Sequence, residues 1–243
     1  MKFTKIVGFG DSWTYGDELL DPALASDPEA HTCWDQNTPY RLANCFLGQL
    51  GQHYGVPTEN FGIPGGSLQS TVWTFQWWLD HEPCPEQCLV LVGLTNSDRI
   101  SHYNPNHVHY SNDPPWNKFV HSSWVNFGST VVSTEFADLI KRQLVLTNCP
   151  DLYRLNYQQT VLMFDGVAAR RNIPMIQFNV MPESRKIDHA PTLILPNFSL
   201  VTWFRDMPEN RNREMIKPDG HPNEAGHTLI RDRLISQIDS CIM

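Results

Sequence analysis

The sequence predicts an α/β fold, a parallel sheet with helices on both of its faces. Short apolar runs that end in turn residues alternate with segments at helical spacing. The run from Cys88 to Leu94 is apolar almost throughout, as suits a central strand covered on both sides. A chain of 243 residues, 41% of them apolar, can fill one such domain, and no stretch between its halves reads as a linker.

The elements follow in order. Ile6 to Phe9 form the first strand, stopped by Gly10. Residues 17–39 are polar, contain Pro22, Pro28 and Pro39, and read as a loop. From Tyr40 to Tyr54, Leu42, Cys45, Phe46 and Leu50 fall at helical spacing, and Gly55 and Pro57 end the helix. Thr58 to Phe61 make a second strand. Ser67 caps a helix that runs to His81. After the strand Cys88–Leu94, residues 100–132 are dense in aromatic and histidine side chains without a dominant period. They read as an inserted loop on a single domain spanning 1–243. Helices are expected at 133–146 and 151–171, strands at 175–180 and 198–204, and a last amphipathic helix at 222–238 with Ile230, Leu234 and Ile238 on one face.

Several classes are disfavoured. A net charge of −8 does not suit a nucleic-acid partner or an anionic membrane surface. No apolar run approaches the roughly 20 residues of a membrane span. The segment before Asp11 reads as a strand rather than a signal peptide, which implies a cytoplasmic or virus-associated protein. The six cysteines are scattered, and Cys84 and Cys88 lack a second pair for zinc. His107 and His109 lack an acidic or cysteine partner, so no metal is expected. Gly8-Phe9-Gly10 lacks the third glycine of a dinucleotide fingerprint.

The chemistry concentrates at the two ends of the chain. Ser12 follows the first strand in Gly10-Asp11-Ser12, and His221 precedes the last helix in Asp219-Gly220-His221-Pro222. In a parallel sheet, sites form at the carboxyl ends of strands, where these residues can converge. A serine becomes a nucleophile when a base takes its proton, and His221 is the candidate base. Asp219 is the candidate orienting acid, because residues two apart in an extended segment face one side. Asp206 is an alternative acid. Oxyanion donors, each worth about 3 kcal/mol in the transition state, are available from the backbone N–H groups of Ser12 and Gly65 and from the side-chain amide of Asn96. Each of these residues taken singly also reads as a turn or capping residue.

Four blocks in this order resemble the SGNH hydrolases, also called GDSL lipases and esterases. They are Gly10-Asp11-Ser12-Trp13, Asn60-Phe61-Gly62-Ile63-Pro64-Gly65, Val92-Gly93-Leu94-Thr95-Asn96 and Asp219-Gly220-His221-Pro222. The run from Asp219 to His227 is most similar to compact members encoded by bacteriophages. The resemblance implies a three-layer α/β/α sandwich with a flavodoxin-like parallel sheet and no metal or organic cofactor. It implies Ser12 as nucleophile, His221 as base, Asp219 as its acid, and Ser12, Gly65 and Asn96 around the oxyanion. Two positions depart from the family pattern. Pro218 occupies the usual place of the acid, three residues before the histidine, and Asn96 is followed by Ser97 rather than aspartate. The leading expectation is hydrolysis of an O-acyl ester through an acyl-enzyme, with a small-molecule or glycan ester as substrate and a carbohydrate acetyl ester the favoured case. The alternative is a non-catalytic binding or virion structural module on the same fold.

Overall fold

In a computed structural model of the chain, the first strand is β1 (Lys5–Gly10), and it enters a single helical turn, α1 (Ser12–Tyr15). The structure describes residues 3–27, 30, 35–103, 124–127, 150–181, 187, 190–193 and 198–242. Next come α2 (Thr38–Asn44), α3 (Phe46–Tyr54), β2 (Thr58–Gly62), α4 (Leu68–His81) and β3 (Cys88–Leu94). After these lie β4 (Ile100–Tyr103), β5 (Trp124–Phe127), α5 (Pro150–Arg171) and β6 (Met175–Asn179). The chain closes with α6 (Leu200–Arg205), α7 (Glu209–Met215) and α8 (Glu224–Ile242).

The main sheet is parallel throughout, in the order β2-β1-β3-β6. Side chains alternate across it. On one face Ile6, Leu89, Leu91, Ile176 and Phe178 pack with Phe46, Leu47 and Leu50 of α3 and with Ile230, Leu234 and Ile238 of α8. On the other face Val7, Phe9, Val90 and Val92 pack with Leu68, Phe75 and Trp78 of α4 and with Tyr157, Val161 and Phe164 of α5. Both faces of β3 are therefore buried, as its unbroken apolar run requires. This is the three-layer α/β/α arrangement, with every strand's carboxyl end on one edge.

Local chemistry sets the boundaries. Ser67 caps α4 by accepting from Ser70 N–H at 3.1 Å, and Ser70 Oγ accepts from Ser67 N–H at 2.9 Å. The single helix expected at 40–54 is two helices, because Cys45 leaves the helical region at φ −66°, ψ 156° and starts α3. The strand expected at 198–204 is a correction. Only isolated parallel bridges, Asn179 with Ser199 and Gln177 with Leu193, extend the sheet there. Ser199 Oγ instead accepts from Thr202 N–H at 3.1 Å and starts α6. Within the expected insertion, β4 and β5 form a separate antiparallel ribbon. Residues 104–123 of that insertion, with His107 and His109, and the helix expected at 133–146 lie outside the described residues. Among the described residues no helix is long and apolar enough to cross a membrane, and Cys45, Cys84 and Cys88 are free thiols.

Candidate active site

Ser12 opens α1 immediately beyond the carboxyl end of β1, and it is buried. A four-residue helix has no stability of its own, so its position is fixed by neighbours at both ends. Asp11 caps it through a hydrogen bond from Trp13 N–H to Oδ1 at 3.1 Å. At the other end Asn60 Nδ2 donates to the Thr14 carbonyl at 2.8 Å, and Arg41 Nη1 donates to the Tyr15 carbonyl at 2.8 Å. The buried Arg41 guanidinium also lies 3.6 Å from the Tyr15 ring centroid. A Cβ on Gly62 would sit 2.2 Å from Tyr15 N, so glycine there lets α1 lie directly on β2.

His221 reaches this serine from the other end of the chain. Its Nε2 lies 2.9 Å from Ser12 Oγ, and its Nδ1 lies 3.1 Å from Asp219 Oδ2. Asp219 Oδ1 accepts from the His221 backbone N–H at 3.1 Å. Asp219 and His221 do meet, but through a turn rather than an extended segment. Gly220 has φ +92° and its N–H bonds to the Lys217 carbonyl, while Lys217 N–H bonds to the His221 carbonyl. The bridge between Ile216 and Pro222 closes this loop at its base. A left-handed glycine between acid and histidine accommodates the two-residue spacing. Asp206, the alternative acid, is exposed and pairs with Arg205 at 3.5 Å.

The charges are arranged around that chain of contacts. Burial works against the Asp219 carboxylate, but the backbone N–H and the imidazole of His221 hold its pKa below the ordinary value. Asp11 is fully buried, and burial pushes its carboxyl pKa up against the opposing pull of Arg99 and Thr95. Thr95 Oγ1 donates to Asp11 Oδ2 at 2.7 Å, and Arg99 Nη1 lies 3.4 Å from the same oxygen.

Gly65 lies in the turn after β2, at φ +69°, with open space where a side chain would point. Gly66 N–H closes that turn on the Ile63 carbonyl, and Ile63 N–H bonds to the Gly10 carbonyl, two residues before Ser12. Asn96 lies two residues beyond β3, half-buried, in a turn closed by Arg99 N–H on its carbonyl. Arg99 Nη1 also donates to the Gly66 carbonyl at 3.3 Å. One guanidinium thus joins the loops after β1, β2 and β3.

Arg99, Thr95, Asn60 and Arg41 were not among the residues singled out from the sequence. Asn60 and Thr95 carried a signal only as members of the second and third blocks. The others act through contacts dozens of residues away in the chain. His227 was likewise missed. It is fully buried on α8, accepts from Phe46 N–H through Nδ1 at 3.2 Å, and stacks on the Phe46 ring. Burial, aided by the charge of His221, pulls its pKa down to about 3. Among the described residues no three His, Cys, Asp or Glu side chains converge as a metal site would require.

No protein-family model matches the sequence, and no curated protein matches it. Solved structures similar to the chain include LAE5, an α/β hydrolase enzyme from the metagenome of Lake Arreo, Spain. It is 15% identical with a TM-score of 0.49, covering 100% of this chain and 98% of that one. A lipolytic protein of the G-D-S-L family from Veillonella parvula is 14% identical with a TM-score of 0.39, covering 96% of each chain. A catalytic mutant of Axe2, an acetylxylan esterase from Geobacillus stearothermophilus, is 15% identical with a TM-score of 0.36, covering 98% of this chain and 95% of that one. The four sequence blocks and the β2-β1-β3-β6 sheet together carry the chain's resemblance to the SGNH hydrolases.

Proposed function

We propose that the protein is a serine-dependent carboxylic ester hydrolase. The observation that carries this reading is the unbroken line of contacts from Ser12 Oγ to His221 Nε2 and from His221 Nδ1 to Asp219. In the proposed reaction Ser12 Oγ attacks the acyl carbon while its proton passes to His221 Nε2. The charge that develops on the carbonyl oxygen faces the N–H groups of Ser12 and Gly65 and the amide of Asn96. Collapse breaks the ester bond, and the leaving alkoxide takes the proton back from His221. Water then repeats the sequence on the acyl-serine and releases the carboxylate. Asp219 keeps the proton of neutral His221 on Nδ1, so that Nε2 is free to accept.

For the substrate we infer an acetyl ester of a carbohydrate. Its support is the aromatic content of residues 100–132, since tryptophan and tyrosine faces stack on sugar rings.

Wild type is expected to turn over p-nitrophenyl acetate and to gain one adduct at Ser12 from a fluorophosphonate, read by intact mass. Ser12→Ala is expected to lose about three orders of magnitude in kcat. Equal rates for the two proteins would remove Ser12 from the chemistry. A wild type without turnover or adduct would leave a binding module on this fold. Acetylated xylo-oligosaccharides assayed beside longer-chain esters test the substrate class, and preference for the long chains overturns it.

A further inference from the structure

Lys217 is a charged residue that the proposed ester chemistry does not use, and it reaches both segments that carry that chemistry. Its backbone belongs to the histidine's segment. Lys217 N–H donates to the His221 carbonyl at 2.8 Å, and the Lys217 carbonyl accepts from Gly220 N–H at 2.9 Å. The bridge between Ile216 and Pro222 closes the same hairpin. Its side chain reaches the serine's segment. The ammonium donates to the Glu18 carbonyl and lies 3.9 Å from Glu18 Oε2. Glu18 follows a loop wound directly onto Ser12, whose carbonyl accepts from Gly16 N–H at 3.1 Å and from Asp17 N–H at 3.0 Å. Glu18 has φ +68°, a left-handed conformation that a residue with a side chain keeps only where its surroundings enforce it. The ammonium on its carbonyl supplies part of that enforcement. A charge-assisted hydrogen bond to a main-chain oxygen also fixes the chain itself rather than a mobile side chain.

We propose that Lys217 is a positioning residue for the second half of the reaction: it holds His221 beside Ser12 in the acyl-enzyme, when the serine no longer can. This rests on the reading of Ser12, His221 and Asp219 given above. In the free enzyme the two segments are also joined by the contact of Ser12 Oγ with His221 Nε2 at 2.9 Å. Acylation removes that contact as a hydrogen bond. The Ser12 proton leaves with the alcohol, and Oγ, now bonded to the acyl carbon, has no hydrogen to donate. His221 must still stay within reach. In deacylation Nε2 takes a proton from water as the water oxygen bonds to the acyl carbon. It returns that proton to Ser12 Oγ as the bond from Oγ to the acyl carbon breaks. The turn that carries the imidazole is exposed from Pro218 to Gly220 and bends at a glycine with φ +92°. The tie from Lys217 to the Glu18 carbonyl lies outside the reacting atoms, so it persists through both steps.

The test compares wild type, Lys217→Met and Lys217→Arg with p-nitrophenyl acetate, in the steady state and by stopped flow, with thermal unfolding as a check on folding. For so activated an ester, kcat reports deacylation, while kcat/KM and the initial burst report acylation. Met keeps most of the stem without a donor, and Arg keeps a charged donor. Lys217→Met is expected to lower kcat about tenfold and KM with it, leaving kcat/KM and the burst rate within about threefold of wild type. Lys217→Arg is expected to regain most of the loss in kcat. A parallel fall in kcat and kcat/KM overturns the proposal, because a general loosening of the fold slows both steps. So does an unchanged kcat in Lys217→Met, or an Arg variant as slow as Met. If Lys217→Met does not fold, Lys217→Gln, too short to reach Glu18, carries the same expectations. Fluorophosphonate labelling of wild type separates the two ideas: its absence overturns the esterase reading. Amide hydrogen exchange then still decides the tie. The N–H groups of Asp17 and Gly220 are expected to exchange faster in Lys217→Met than in wild type, and unchanged rates overturn it.

Discussion

Asp11 shows what a single residue contributes to holding Ser12, the proposed nucleophile, still. Its carboxyl is removed from water and met by Trp13 N–H, Thr95 and Arg99. A charge in that position is tolerated only while its partners remain. Arg99→Met is expected to cost about 1–2 kcal/mol of stability, discounted from the value for a wholly buried pair because the arginine keeps some exposure. It is also expected to lower kcat more than it raises KM, since the loops it joins carry Ser12, Gly65 and Asn96. Urea unfolding and steady-state kinetics check both, and an unchanged kcat would detach Arg99 from the site. Thr95→Val removes a hydrogen bond to a charged acceptor and is expected to cost about 1.5–3 kcal/mol. The convergence of Ser12, His221 and Asp219 was legible in the sequence because serine, histidine and acid in recognisable short runs have few other joint uses. Arg99 and Lys217 were not, because a lone basic residue in a polar segment reads the same whether it is solvated or bridging three loops.

Among elements, α1 depends on the strand beside it. Gly62 and Gly65 sit three residues apart and are expected to respond differently to alanine. At Gly62 the new Cβ would collide with Tyr15 N, so Gly62→Ala forces α1 off β2 and is expected to abolish activity and lower the folded yield. At Gly65 the added carbon meets nothing within 4 Å, and only the left-handed backbone resists it. Gly65→Ala is expected to fold normally at a cost of about 1–2 kcal/mol, with the loss falling on kcat as its N–H turns away. Thermal unfolding and kinetics on the two variants separate these outcomes, and equal stability losses would contradict the argument. The elements themselves were legible where one local signal dominated. β3 is an unbroken apolar run, and α4 begins at a serine cap. The segment 198–204 misled because a short apolar run fits either state, and the Ser199 cap with Thr202 decides it for helix. The break at Cys45 has no glycine or proline to announce it. Asp219 and His221 do meet, but the turn at Gly220 that joins them is not visible in an extended reading.

At the scale of the molecule, α8 is seated on α3 through a buried histidine. Nδ1 of His227 is used as an acceptor, so its neutral ring carries the proton on Nε2, which has no partner among the described residues. Protonation is resisted in the folded state, where its pKa is about 3, and occurs near 6.5 when unfolded. The unfolded chain therefore binds the extra proton as pH falls below about 6.5. The stability this neutral histidine supplies is complete above that pH and declines toward pH 3, at up to about 1.4 kcal/mol per unit. His227→Leu is expected to be less stable than wild type at pH 7, because Phe46 N–H loses its acceptor. It is expected to lose less on acidification. Denaturant midpoints measured from pH 7 to pH 4.5 test this, and parallel pH dependences would refute it. The parallel sheet and its two packed faces were foreseeable from the alternation of elements, whereas the strand order β2-β1-β3-β6 leaves no local signal in the sequence.

The contact between Ser12 and His221 joins positions 209 residues apart. During synthesis the serine leaves the ribosome before the histidine and waits, beside no base, until the chain up to a position 209 residues later has followed it. On the proposed chemistry, a nascent or truncated copy that stops short of His221 carries a dormant hydroxyl, and reactivity switches on in a single docking step rather than growing gradually with length.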